Sequence, residues 1–360
     1  MPELIVAQSL NCDLDNWTTP YGVACLLFAG RLVRDRFNVL NKFSEFNWVN
    51  TVDPIYEPDN TPLSELMDRR ANELIGNSIT VQWSGGVDST SLLLSLIKNG
   101  VSKEDLQIYY DSNSVEEYPR LLHWLQEQKY NTKEVRNWKK ALGNVQTDLI
   151  TNGWCADQLF GSMFFHQSAE KYHTPIEELL TSVIFPEGSL KPDEAAFATE
   201  TFKKMGRDLF NIDLNIAAEL GWFINYCLKW TWVSTFNELY LVTTPAYGKT
   251  RVFYDTPYFQ AWSLNNFPLI KDFNIYGSNA KRYKRQLKEY CNSIFPDPDY
   301  LQNKTKKPSW NAALTTTTRV NDRAVTLKST KGYEIFNLPS QMPRGCPNLF
   351  DNAFFTKYKK

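Results

Sequence analysis

Residues that could hold a phosphate group occur together in one short stretch, Ser84-Gly85-Gly86-Val87-Asp88-Ser89-Thr90. A β-branched run precedes it and an apolar run follows it, which predicts a buried parallel strand, a turn and a helix from Ser89 to Lys98. Backbone N–H groups at such a turn and the positive end of the helix dipole point at the same place, so the pattern predicts an anion site. The hydroxyls of Ser84, Ser89 and Thr90 could add donors. Asp88 would suit this site if a metal ion bridged it to phosphate.

The stretch resembles the pyrophosphate-binding loop of the N-type ATP pyrophosphatases, S-G-G-x-D-S, and every fixed position of that pattern is present. Other nucleotide motifs, G-x-x-x-x-G-K-[ST] and a G-x-G-x-x-G after a strand, are absent. The resemblance implies an enzyme that cleaves ATP between the α- and β-phosphates. Such enzymes adenylate an oxygen of a carboxylate or carbonyl, and a nucleophile then displaces AMP.

A second segment, 152–162, is similar to G-x-G-A-D-E-L-F-G-G of the asparagine synthetase and β-lactam synthetase branch. The matching positions are Gly153, Ala156, Asp157, Leu159, Phe160 and Gly161. Cys155, Gln158 and Ser162 depart from it. The resemblance implies that Asp88 and Asp157 hold Mg²⁺ against the phosphates of ATP, with Gly153 and the glycine loop beside them.

The elements around these segments predict an α/β fold with a parallel sheet. Strands are expected at 79–83, 106–110, 132–135 and 147–151, with helices at 63–75 and 118–128. Ligands of parallel sheets bind at the carboxyl ends of the strands, where Ser84, Asp111 and Asn152 fall, so Asp111 is a further candidate for ATP binding. By resemblance, the fold is that of an ATP pyrophosphatase (adenine nucleotide alpha hydrolase-like) with an attached helical region.

Weaker similarity follows in the order that the family has it. Arg251 to Asp255 is similar to R-V-P-F-L-D, but Lys249 stands where the family has a glutamate in the acceptor half of its site. Lys281 and Arg285 match K-Y-L-L-R, and Lys306 matches the lysine of N-R-x-K-x-G. The resemblance makes Lys306, Lys281 and Arg285 the candidate catalytic residues, and a lysine can stabilise the charge of departing pyrophosphate.

Composition limits the remaining possibilities. The 360 residues carry a net charge of −1, which gives no support for broad nucleic-acid or membrane binding. Six scattered cysteines without a C-x-x-C, and the lack of a signal peptide or a spanning apolar run, favour a cytoplasmic protein. We expect a small N-terminal element at 1–55, the sheet core at 56–162, a helical region completing the substrate cleft at 163–310, and a C-terminal hairpin and tail at 311–360.

These observations together predict an ATP-dependent, AMP-forming amide ligase with ATP and Mg²⁺ as cofactors. Its substrates would be a small-molecule carboxylate and an amine or ammonia. Pro2 stands where the glutaminase domain of asparagine synthetases has its cysteine nucleophile, so no glutaminase activity is expected. A separate glutaminase chain and a homo-oligomer stay open. Two alternatives also stay open: an enzyme of the same fold that modifies a base in tRNA or DNA, and a degenerate protein that binds ATP without turnover.

Overall fold

The computed structural model describes residues 36–37, 54–161, 173–180, 192–230, 233–234, 241, 244–267, 284–303, 323–329 and 332–338. The chain divides into two compact units, and the candidate residues that the structure describes all lie in one of them, Tyr56–Phe160 with Val233–Thr316. The other comprises Met1–Ile55, Gly161–Trp232 and Thr317–Lys360.

The first unit is built on a four-stranded, all-parallel sheet, as the sequence predicts. Its strands are β1 (Ile79–Gln82), β2 (Leu106–Tyr110), β3 (Asn131–Glu134) and β4 (Leu149–Asn152), in the order β3-β2-β1-β4. The apolar residues of β1 and β2 and Ile150 of β4 are buried, whereas β3 at the edge is polar and mostly exposed. The fold class α/β is therefore confirmed.

A further segment runs parallel to β4 along its outer edge. Ile150 donates its N–H to the carbonyl of Lys249 (3.0 Å) and accepts from the N–H of Arg251 at 2.8 Å. The side chain of Thr151 donates to the carbonyl of Arg251 at 2.7 Å. Residues 249–253 thus extend the sheet beyond β4 and bring the segment after Arg251 to the carboxyl end of the strands.

The strand order contains one reversal of direction. From β1 the chain moves to β2 and then β3 on one side, and it returns to place β4 on the other side of β1. The reversal leaves a crevice between β1 and β4 at their carboxyl ends, which is where open α/β sheets bind ligands.

Helices cover this sheet and hold its edges. They are α1 (Leu63–Leu74), α2 (Val87–Lys98), α3 (Ser112–Glu117), α4 (Pro119–Glu127), α5 (Trp138–Gly143), α6 (Ala156–Leu159), and, in the later part of this unit, helices Pro257–Asn265, Arg285–Ile294 and Pro298–Asn303. The helix Arg285–Ile294 and α1 both pack on α2. Ser95 Oγ donates to the carbonyl of Met67 at 2.8 Å, and Tyr290 donates to Asp68 Oδ1 at 2.6 Å.

The second unit is mainly helical where it is described, with an antiparallel hairpin. Its helices are Ile176–Glu178, Pro192–Phe210, Ala217–Ile224 and the π-helix Asn225–Lys229, and the hairpin pairs β5 (Arg323–Ser329) with β6 (Gly332–Leu338). The predicted hairpin is confirmed. Tyr226 stacks on Trp222 with ring centroids 5.0 Å apart, within an aromatic cluster of this unit. Within the described residues, no helix combines the length and the apolar character needed to cross a bilayer.

Candidate functional site

The predicted strand, turn and helix form around the glycine loop. Trp83 continues β1 by donating its N–H to the carbonyl of Tyr109 at 2.9 Å, and α2 begins at Val87. Gly85 has φ +72°, and a Cβ there would lie 2.5 Å from the carbonyl oxygen of Ser114. Glycine is therefore required at Gly85 both by its backbone conformation and by the close approach of α3.

Gly86 is glycine for a different reason. Its φ of −71° suits any residue, and an added Cβ would meet only Ser84 Oγ, at 3.3 Å. Its protein environment therefore admits a Cβ if the Ser84 hydroxyl shifts by a few tenths of an ångström. The first N–H groups of a helix have no partner within the helix, and those of α2 follow Gly86 directly. A bare backbone at this position leaves these N–H groups accessible to an anion.

The serine hydroxyls hold the loop in shape. Ser89 Oγ accepts from the backbone N–H of Ser84 at 3.0 Å, lies 3.0 Å from Ser84 Oγ, and donates to the carbonyl of Gly86 at 3.2 Å. Thr90 is buried beneath the loop, where its hydroxyl accepts from Trp83 Nε1 at 3.1 Å. These contacts make Thr90 a structural support, whereas Ser84 is exposed at the loop itself.

The second segment packs directly against this loop. A Cβ at Gly153 would lie 2.6 Å from the backbone N of Ser89 and 2.7 Å from the carbonyl carbon of Asp88, so only glycine permits this approach. Cys155 has φ +70°, a left-handed conformation, at the position where the resembling pattern has its second glycine. The backbone here adopts a glycine-like turn, although the residue carries a buried side chain.

The carboxylates of Asp88 and Asp157 converge on one cation. The ammonium of Lys284 contacts both oxygens of Asp88, with Oδ2 at 2.5 Å, and lies 2.5 Å from Asp157 Oδ1. The Lys284 side chain is only 7% exposed, and those of the two aspartates are 25% and 27% exposed. The sheet and its loops therefore bring together the two residues that the sequence predicted as metal ligands.

This arrangement is compatible with a magnesium ion. Two carboxylates close enough to share one ammonium repel each other unless a cation lies between them. Among the residues that the structure describes, no group of three or more His, Cys, Asp and Glu residues could hold a metal ion. Mg²⁺ is commonly bound by only one or two carboxylates, with phosphate oxygens and waters completing its coordination. Asp88 and Asp157 supply such a pair, and the ammonium of Lys284 marks the position of positive charge.

Tyr254 fixes the start of α2 from the neighbouring segment. Its buried hydroxyl donates to the carbonyl of Asp88 at 3.2 Å and lies 2.7 Å from Ser91 Oγ. Burial and the negative charge of Asp88 raise the pKa of Tyr254 well above its usual value, which keeps the phenol neutral and able to donate. The segment similar to R-V-P-F-L-D thereby positions the backbone of Asp88.

Asp111 lies at the carboxyl end of β2, as predicted, and both of its oxygens have protein partners. Oδ1 accepts from the N–H and hydroxyl of Ser114, at 2.9 Å and 2.8 Å, which caps α3. Oδ2 accepts from Trp138 Nε1 at 3.0 Å. These contacts give Asp111 a capping role at the edge of the crevice.

The lysine that contacts Asp88 and Asp157 in the described part of the chain is not one of the basic residues that the sequence suggested. Lys281 and Lys306 lie outside the described residues. Arg285 is half-exposed and pairs with Glu289 at 2.6 Å. Lys249 donates to the carbonyl of Thr147 at 2.8 Å, which lies before the start of β4 and thus at the opposite end from Asn152.

Sequence reasoning missed Lys284, although a signal for it was present. The buried residues of the helix Arg285–Ile294 include Leu287 and Cys291. Residues three or seven positions apart lie on the same face of an α-helix. Position 284 is three residues before Leu287 and seven before Cys291, so it lies on the buried face. The helical periodicity therefore predicts that Lys284 is buried and that Arg285 beside it is exposed.

Neither a scan against protein-family models nor a search of curated proteins finds a match to this chain.

Proposed function

We propose that this protein is an ATP-dependent, AMP-forming ligase that adenylates a small-molecule carboxylate for attack by ammonia or an amine. One observation carries the proposal. Asp88 and Asp157 come from two separate segments, each similar to a motif of the asparagine synthetase-like ATP pyrophosphatases, and they meet at the crevice between β1 and β4. Each segment alone could have a purely structural role, as a helix start or a tight turn. Such a role does not require the two carboxylates to lie close together.

The glycine loop would bind the β- and γ-phosphates of ATP. The N–H groups in the first turn of α2 would donate to the phosphates, and the 12-residue helix adds the positive end of its dipole. Gly153 closes the other side of the loop, since it contacts the backbone of Asp88 and Ser89. The phosphates would therefore lie between the two segments that carry the aspartates.

Asp88 and Asp157 would hold Mg²⁺ on the pyrophosphate half of ATP. When bound, this ion supplies positive charge to the leaving pyrophosphate. The protein's own part is to hold the two carboxylates at the strand ends, through the hydrogen bond from Tyr254 to the Asp88 carbonyl and the tight packing of Gly153. The ammonium of Lys284, which contacts both carboxylates, would add a further cation at the phosphate oxygens once the ion takes its place.

The chemistry divides into two balanced steps. A carboxylate oxygen attacks the α-phosphorus, the bond to the bridging oxygen of pyrophosphate breaks, and an acyl-adenylate forms. An amine then attacks the acyl carbon, loses a proton, and displaces AMP. Both steps require the reactants to lie in one cleft, and such positioning supplies much of the rate.

The proposal is tested by exchange of labelled pyrophosphate into ATP. Pools of amino acids and other carboxylates, without any amine acceptor, are added to the protein with ATP, Mg²⁺ and labelled pyrophosphate. A carboxylate-dependent label in ATP is expected, and the Asp157→Asn variant should lose it. ATP binding without exchange for any pool would instead favour a degenerate binding protein.

A second candidate is an enzyme of this fold that activates a base in a nucleic acid. The observation in its favour is a basic group at the carboxyl end of β3, consisting of the exposed residues Arg136, Lys139 and Lys140. The glycine loop follows β1, which is two strands from β3, so it lies at the same carboxyl end of the sheet about 10 Å from the end of β3. Binding of tRNA that weakens steeply with salt, and weakens further in Arg136→Gln/Lys140→Gln, would favour this candidate.

A further inference from the structure

The ammonium of Lys284 occupies the position between Asp88 and Asp157. We propose that Lys284 is a built-in counter-ion that keeps free divalent cations out of this site until a phosphate ligand arrives. On loading, the ammonium would leave the carboxylates for the phosphate oxygens, and the metal ion would take its place. The identity of the phosphate ligand rests on the proposed function. The exclusion of the free metal ion by Lys284 does not.

The contacts leave no room for both cations at once. Lys284 Nζ lies 2.5 Å from an oxygen of each aspartate. Mg²⁺ needs its oxygen ligands at about 2.0–2.1 Å, in near-octahedral order. An ion held by the same oxygens would therefore overlap the ammonium, so the ammonium must move before the ion binds.

Moving the ammonium alone is unfavourable. Lys284 is 7% exposed, and taking its ammonium away from both carboxylates would remove two favourable contacts from a buried charge. A phosphate in the glycine loop changes this balance, because Asp88 is only two residues from Gly86 and the loop is within reach of a lysine side chain. Phosphate and metal ion would therefore bind with positive coupling, each raising the affinity of the other by the same factor.

The backbone of Lys284 is held in place at the start of its helix. The carbonyl of Lys284 accepts from the N–H of Lys288 at 3.1 Å, at the start of the helix Arg285–Ile294. That helix is held to α1 by the hydrogen bond from Tyr290 to Asp68. The exchange would therefore involve the four-carbon stem of Lys284 and not its backbone.

The experiment compares wild type with Lys284→Met, which keeps the stem and removes the charge. Mn²⁺ binding is followed by the paramagnetic resonance signal of the free ion, with no nucleotide present. The variant should bind Mn²⁺ at least tenfold more tightly than wild type, and it should bind Mg²⁺-loaded inorganic pyrophosphate at least tenfold more weakly. A structural role alone would not move the two affinities in opposite directions.

Two variants locate the effect. Lys98→Met removes a lysine paired with Asp68 at 2.6 Å, near the other end of α2, and should leave both affinities unchanged. Lys284→Met with Asp157→Asn should lose the gain in Mn²⁺ affinity. If Lys284→Met fails to fold, as judged by circular dichroism, Lys284→Gln provides the same comparison with a polar side chain.

Unchanged or weaker Mn²⁺ binding in a folded Lys284 variant would overturn the proposal. Tighter Mn²⁺ binding with unchanged pyrophosphate binding would also overturn it, since the exchange requires both. Neither result depends on a carboxylate substrate. A failure of the proposed ligase activity, seen as absent exchange, is thus distinguishable from a failure of this inference.

Discussion

Replacing Gly86 by valine should weaken ATP binding severely and leave the fold intact. The protein offers little resistance, because an added Cβ meets only Ser84 Oγ at 3.3 Å and the backbone angles, φ −71° and ψ 162°, lie in a region that valine favours. The loss of a glycine at the N-cap of α2 should lower the free energy of unfolding by about 1 kcal/mol.

The effect on ATP should be larger than this. Two methyl groups at the entrance of the loop would block phosphate from the N–H groups in the first turn of α2. Each charge-assisted hydrogen bond contributes about 1.5–3 kcal/mol, so the loss of one or more predicts a fall in affinity of roughly tenfold or greater.

The assay is titration calorimetry with ATP and Mg²⁺, paired with urea unfolding of the same preparations. Gly86→Ala provides a graded comparison, with an intermediate affinity and near-normal stability. An unchanged ATP affinity in stable Gly86→Val would refute the assignment of the loop as a phosphate site.

Three further changes have defined outcomes. Gly153→Ala places a Cβ 2.6 Å from the backbone N of Ser89, so it should destabilise the protein by about 1–3 kcal/mol in urea unfolding, and full stability would contradict the packing described for this position. Asp157→Asn keeps the shape of the side chain but removes its charge, so ATP turnover at limiting Mg²⁺ should fall more than tenfold, or about 1.4 kcal/mol. Gln158→Ala should lower turnover less. Full turnover in Asp157→Asn would show that the second segment has a structural role only. Burial raises the pKa of Asp68, but hydrogen bonds from Lys98, Tyr290 and Asn99 outweigh burial and hold the pKa below its usual value. Because the pKa of Asp68 is lower in the folded than in the unfolded protein, the Asp68 carboxylate stabilises the protein above about pH 4, and this contribution is lost as the pH falls through the folded pKa. The difference in the free energy of unfolding between wild type and Asp68→Asn should therefore shrink as the pH falls below about 4. A difference that stays constant with pH would contradict this assignment.

The strand, loop and helix around Ser84 to Ser89 could be predicted from sequence because several local signals agree. The β-branched run, the two glycines and the apolar run each favour the same structure, and the observed β1 and α2 follow them closely. The start of α2 at Val87, two residues before the predicted Ser89, follows from Gly86 acting as the N-cap. Asp88 therefore belongs to the first turn of the helix rather than to the loop.

Contacts between distant parts of the chain could not be predicted in this way. The pairing of Lys284 with Asp88 joins residues 196 positions apart, and no local pattern encodes it. Asp111 was predicted at a strand end, but its partner Trp138 lies on α5, a short helix that the hydrophobic pattern did not reveal. The phase of the helix Arg285–Ile294 did contain the information that Lys284 is buried, since Leu287 and Cys291 share its face.

The central claim, that a carboxylate is adenylated at this site, is tested most directly by following oxygen. The carboxylate that supports exchange of pyrophosphate is prepared with ¹⁸O in both oxygens and allowed to react with ATP, Mg²⁺ and an amine. If an acyl-adenylate forms and the amine attacks its acyl carbon, mass spectrometry will find one ¹⁸O in the AMP and none in the pyrophosphate. AMP without the label, or ADP and phosphate as products, would contradict the account.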